Sequence, residues 1–130
     1  MEVSKADISR EIDLFLEEIY DDSKKAGEEM AEVGLGKAQI RGLETMILST
    51  TRFSEIMNYI KNQAGKDNKM KWAIVAPGLI KRLEKLEEKA EELGKNDPSL
   101  CLAIKMKLAR GWEKQVISHC LYQLLLMGGR

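Results

Sequence analysis

Apolar residues recur three and four positions apart along most of this chain, and that spacing limits its fold more than any other feature. Ile8, Ile12, Phe15, Leu16 and Ile19 fall at i, i+4, i+7, i+8 and i+11, the pattern one buried helix face needs. Long runs of alternating β-branched residues, the mark of strands, are absent. Only two prolines occur, and Leu, Ile, Met, Ala, Glu and Lys dominate. These side chains lose little rotamer freedom in a helix. The expected fold is therefore all-α: one helical-bundle domain over residues 1–130, with about five helices, orthogonal or up-down in arrangement. A chain of this size buries roughly two thirds of its unfolded surface, enough for a core without disulfides or metal.

Punctuation along the chain places the helices. The first runs from about Lys5 to Val33, capped by Ser4 or Asp7, with a break expected at Asp21-Asp22-Ser23 and a stop at Gly34-Leu35-Gly36. The second covers about Lys37 to Leu48, with Ile40, Leu43 and Ile47 inward, and Ser49-Thr50-Thr51 separates it from the third, about Arg52 to Ala64. Gly65-Lys66-Asp67-Asn68 reads as a polar loop. The fourth begins near Lys69, is interrupted by Pro77-Gly78 and resumes over Leu79–Leu93. Asp97-Pro98, an N-cap acid before proline, starts the fifth, which runs to about Met127 before Gly128-Gly129. Its expected buried stripe is Leu102, Met106, Ala109, Val116, Cys120, Leu124 and Met127.

Several function classes find no support in the residues. Cys101 and Cys120 lack metal-ligand spacing. On one helix they lie about 28 Å apart at about 1.5 Å per residue, too far to bridge. They read as small buried hydrophobes in a reducing compartment. The acidic, amphipathic N-terminus does not look like a signal peptide, and no apolar run approaches the length of a membrane span. A cytoplasmic location is expected. The single histidine, His119, has no Glu three residues before it, so no di-iron Glu-x-x-His element exists. Cys120 beside it points about 100° away on a helix, so the two do not form a dyad. No glycine-rich phosphate loop is present. The acid pairs Glu17-Glu18, Asp21-Asp22, Glu28-Glu29 and Glu87-Glu88 read as solvated helix faces. Neither catalysis, metal nor cofactor is expected.

The net charge of zero conceals a dipole. Residues 1–34 carry eleven acids and four bases, whereas residues 35–82 carry three acids and nine bases. Lys37 and Arg41 are one helical turn apart on the second helix, and Arg52, Lys61, Lys66, Lys69 and Lys71 extend the positive character. On the last helix Lys107, Arg110 and Lys114 stand at i, i+3 and i+7, within one sector of about 60°. Such a row suits phosphates, which bind by counterion release with little dependence on sequence. Aromatic residues make up only 5% of the chain, so contacts are expected with backbone rather than stacked bases. Gly27, Gly42 and Gly111 lie inside helical stretches, where each costs roughly 1 kcal/mol against alanine. Close helix packing is the favoured explanation, close approach of a polymer or partner the other. The acidic first helix also lets identical subunits stack head to tail, acidic face on basic face.

The order of elements resembles the small α-helical subunit of type III CRISPR effector complexes. Gln39-Ile40-Arg41 is similar to the Gln-Ile-Arg start of one branch of that family. Thr51-Arg52-Phe53 through Met57-Asn58-Tyr59-Ile60 resembles the other branch, and Ala109 to Tyr122, with Trp112 and Lys114, looks like that branch's closing helix. The likeness covers roughly residues 37–122 as a pattern, and Arg52 stands where that branch carries glycine. The resemblance implies a non-catalytic antiviral-defense subunit, several copies of which stack along a guide RNA–target RNA duplex beside other CRISPR effector subunits. It implies RNA-backbone contacts at Lys37, Arg41, Arg52, Lys61, Lys107, Arg110 and Lys114. The competing expectation is a helical adaptor that binds only protein, through the acidic first helix or the Leu79–Leu93 face.

Overall fold

The structure, a computed structural model, describes residues 4–66 and 70–128. The expected loop residues Asp67 and Asn68, the base Lys69 and the terminal Gly129 lie outside the described residues. Among those described there are six α-helices and no strand: α1 (Lys5–Glu18), α2 (Tyr20–Glu32), α3 (Lys37–Ser49), α4 (Phe53–Lys66), α5 (Lys71–Gly94) and α6 (Pro98–Leu126). The all-α helical bundle is as expected; the number of helices is not.

One local difference accounts for the count, and a second removes an expected interruption. The long first helix is broken at Ile19, ahead of the expected Asp21-Asp22-Ser23. Asp21 and Asp22 instead occupy the first turn of α2, where the exposed amides and positive end of the helix dipole favour acids. The backbone stays bonded through the junction, Ile19 N–H to the Phe15 carbonyl at 3.0 Å and Ser23 N–H to the Ile19 carbonyl at 2.9 Å, so α1 passes into α2 without a loop. Conversely, Pro77 does not interrupt α5, which is continuous over 24 residues. Pro77 is exposed while Val75, Ala76 and Leu79 around it are buried. Packing on the core side holds the helix through a proline whose missing N–H lies on the solvent side. α4 also runs on through Gly65 and Lys66, which were expected in a loop.

Caps fix the outer ends. Ser4 Oγ accepts the Asp7 amide at 3.1 Å, and Asp97 Oδ1 accepts the amides of Ser99 and Leu100 at 3.1 and 3.2 Å. Gly34, at φ +95°, supplies the left-handed turn after α2.

α6 is the mast of the bundle and packs against each of the other five helices. Its buried residues include Ile104, Met106, Leu108, Ala109, Trp112, Val116, Ile117, Cys120 and Leu124. They spread over an arc of about 220° at about 100° per residue. A single expected stripe was therefore too narrow, and two of its members, Leu102 and Met127, are exposed. The closest approach is at Gly27, where a Cβ would collide with the Val116 carbonyl and lie 2.8 Å from the Cys120 amide nitrogen. At Gly42 a side chain would strike the Tyr59 hydroxyl, and at Gly111 the Leu16 side chain. All three helical glycines thus serve packing inside the bundle.

Candidate nucleic-acid interface

Lys107, Arg110 and Lys114 occupy the sector of α6 that its neighbours leave open. Met106, Leu108, Ala109, Trp112 and Glu113, interleaved with them, all turn inward. The one acid in this stretch is thereby removed from the basic row. α1 runs beside the row, brought close by the absence of a side chain at Gly111. Between the two helices lies an open groove of about 530 Å³, with Ile12 and Leu16 beneath and Ser9, Asp13 and the three bases along its edges. It continues past Lys107 into a more apolar hollow of about 270 Å³ beside Lys5 and Ile8. Lys107 to Lys114 spans about 10 Å of helix at about 1.5 Å per residue.

The three bases are held differently. Arg110 is half-buried and its Nη2 donates to the Thr50 carbonyl at 3.2 Å, tying α6 to the end of α3. Thr50 is itself buried, its Oγ1 accepting the Arg52 amide at 3.1 Å and donating to the Glu55 carboxylate. Lys107 and Lys114 are exposed and form no ion pair among the described residues. Their ammonium groups remain available to a mobile anion.

Arg41, on α3, does not line the groove. Its Nη1 lies 2.7 Å from Glu44 Oε1, and the Glu44 carboxyl shares a hydrogen bond with that of Glu113. Glu113 is only 3% exposed. Burial, then the charge of Glu44 and the shared hydrogen bond, push its pKa up to about 7, while Lys114 and Arg41 act in the opposite sense.

The other expected RNA contacts are placed less centrally. Arg52 is exposed, 3.8 Å from Glu55, and follows closely the carbonyl that anchors Arg110. Lys37 is exposed in the first turn of α3, one turn before Arg41. Lys61 is exposed on α4 and lines neither part of the groove. Lys71 is committed elsewhere, its Nζ donating to the Gly34 carbonyl at 3.0 Å. Lys5, Ser9 and Asp13 of α1 were not anticipated, because nothing in the sequence says which helix lies against α6. The Glu44–Glu113 pair was also missed, although Glu113 stands between Trp112 and Val116 on the inward arc, a legible sign of a buried acid.

The acidic side is engaged in ion pairs that brace the bundle. Arg82 of α5 bridges Asp22 and Glu29 of α2 at 2.8 and 3.3 Å, and Lys105 of α6 reaches Glu87 and Glu91 of α5 at 3.3 and 3.6 Å. His119 Nε2 is 2.7 Å from the Tyr20 hydroxyl, not aimed at Cys120. Burial pushes the Cys120 thiol up to about 12, so it stays protonated. Among the described residues no three of His, Cys, Asp and Glu gather as metal ligands would, and no helix is long and apolar enough to cross a membrane. No family model, curated protein or solved structure matches this chain.

Proposed function

We propose that this chain is a non-catalytic RNA-backbone-binding subunit of a type III CRISPR ribonucleoprotein, one that grips phosphates beside the guide RNA–target RNA duplex. The observation that carries the reading is the row Lys107, Arg110 and Lys114 along an open groove. Two exposed lysines without acid partners flank an arginine oriented by a backbone carbonyl. That combination suits a polyanion read by charge and shape rather than by base edge. The resemblance of residues 37–122 to the small subunit supplies the assembly; the groove supplies the chemistry.

The adaptor reading loses one of its two surfaces. Leu79, Leu83, Leu86 and Ala90 of α5 are buried within this chain and are not free to receive a partner. Salt dependence decides between the readings. Affinity for single-stranded or guide-paired RNA is expected to fall steeply with salt. Changing Lys107, Arg110 and Lys114 together to glutamine should reduce the log–log slope by about 2 to 3. Equal affinity and slope in the triple variant refute the assignment of this groove.

A further inference from the structure

The apolar end of the groove has a form that the row of bases does not explain. Ser9, Ile12 and Lys107 line both the groove and the hollow of about 270 Å³ beyond it, so the two are continuous. Ile8, Ile12, Leu100 and Ile104 wall the hollow. Ala103, exposed one turn before Lys107, ends at its methyl and leaves the space between the helices unfilled. No acid lines this hollow among the described residues. The earlier residues of α1 and α6 line the hollow and the later ones line the groove, so the two helices run in the same direction. Lys107 therefore stands where the hollow joins the groove, and Lys5, in the first turn of α1, at its far end. Both lysines are exposed, and neither forms an ion pair among the described residues.

We propose that the hollow receives one unstacked base of the RNA strand whose phosphates follow the groove, with Lys107 and Lys5 holding the phosphates on either side of that nucleotide. This inference rests on the phosphate-binding reading of the groove and deepens it. An apolar slot with a free cation at each end matches one repeating unit of a strand, a base set between two phosphates. A ligand with a single anionic head would leave one of the two lysines unused. Unstacked bases are the parts of RNA that side chains enclose, and burial against Ile8, Ile12 and Ile104 takes apolar surface out of water. Apart from Ser9 at the junction, the uncharged walls carry no hydrogen-bonding side chain. The hollow therefore registers the presence of a base and not its identity, and it adds a contact that salt does not screen.

The test is fluorescence anisotropy on the whole chain with two labelled strands of equal charge, hexauridine and the same sugar–phosphate hexamer without bases. The wild type is expected to bind the abasic strand at least about fivefold more weakly, the low end of what one enclosed base contributes, with the same dependence on salt. Ala103→Phe fills the hollow from an exposed position without changing charge. It should bind hexauridine about as weakly as the wild type binds the abasic strand. Ser9→Leu, which narrows the mouth from α1, should act in the same direction and retains the test if the first variant does not fold. Lys5→Gln should lower the log–log salt slope by about 0.7, the contribution of one phosphate on a single strand; an unchanged slope overturns the bracketing by two lysines. Equal binding of the two strands by the wild type overturns the base site and leaves the groove's function standing. A difference between the strands that survives undiminished in both filling variants puts the base elsewhere and overturns it as well. An acidic amphipathic peptide that binds the wild type and is blocked by Ala103→Phe, with RNA binding untouched by that change, gives the hollow to a protein partner and overturns it. Absence of binding to either strand at low salt overturns both readings.

Discussion

Replacing Glu113 by glutamine separates the burial of a polar side chain from the burial of its charge. The native carboxyl is raised from its ordinary 4.5 to about 7, chiefly by burial and then by Glu44. The folded protein therefore holds this proton more tightly than the unfolded chain does. The group's contribution to stability is full below about pH 4.5, declines as pH rises and levels off above about pH 7. With about 1.4 kcal/mol per pKa unit, the wild type should lose about 2.5 kcal/mol of unfolding free energy between about pH 5 and about pH 8. In urea titrations with a slope of about 1.5 kcal/mol/M, that moves the midpoint by between about 1 and 2 M. Glu113→Gln keeps the size and a hydrogen-bonding amide but cannot ionise. It should match the wild type within about 1 kcal/mol at about pH 5 and exceed it by about 2 kcal/mol at about pH 8. If the two proteins show the same change of midpoint with pH, Glu113 is not a charge buried against its preference, and the account of the carboxyl pair fails.

Other substitutions probe the scaffold. Gly27→Ala should cost about 2 to 3 kcal/mol by thermal melting, because the new methyl meets backbone of α6. Gly111→Ala meets only the flexible end of Leu16, and a gain of about 1 kcal/mol in helix propensity offsets the crowding, so its melting temperature should change little. Asp97→Ala removes the side chain that accepts two amides at the start of α6 and should cost about 1 kcal/mol. Pro77→Ala, at an exposed interior position of α5, should stabilise by about 2 kcal/mol in chemical unfolding.

The helical bundle was legible because its signals are local. Ser4, Asp97-Pro98 and Gly34 act on their own turns, and each does in the structure what its chemistry predicts. Errors arose where packing outweighs local preference. Pro77 reads as a break until Val75, Ala76 and Leu79 are seen anchoring both sides of it. Residues of α6 read as one stripe until five helices are seen to surround it. The candidate site divides in the same way. Lys107, Arg110 and Lys114 share a face by helical arithmetic alone, whereas their neighbours Ser9, Asp13 and Thr50 arrive from α1 and the end of α3 through long-range contacts. Glu113 was the one nonlocal partner with a local sign, an acid on the inward arc of a core helix.

The account depends on an RNA strand lying along the α1–α6 groove, and amide chemical-shift mapping during titration with single-stranded RNA locates it directly. Resonances of residues 9–13 and 107–114 should shift together and reverse with added salt, while the Arg82- and Lys105-bridged acidic flank stays still. Shifts confined to that flank or to the exposed Tyr122–Met127 end, or no shifts at all, would contradict it.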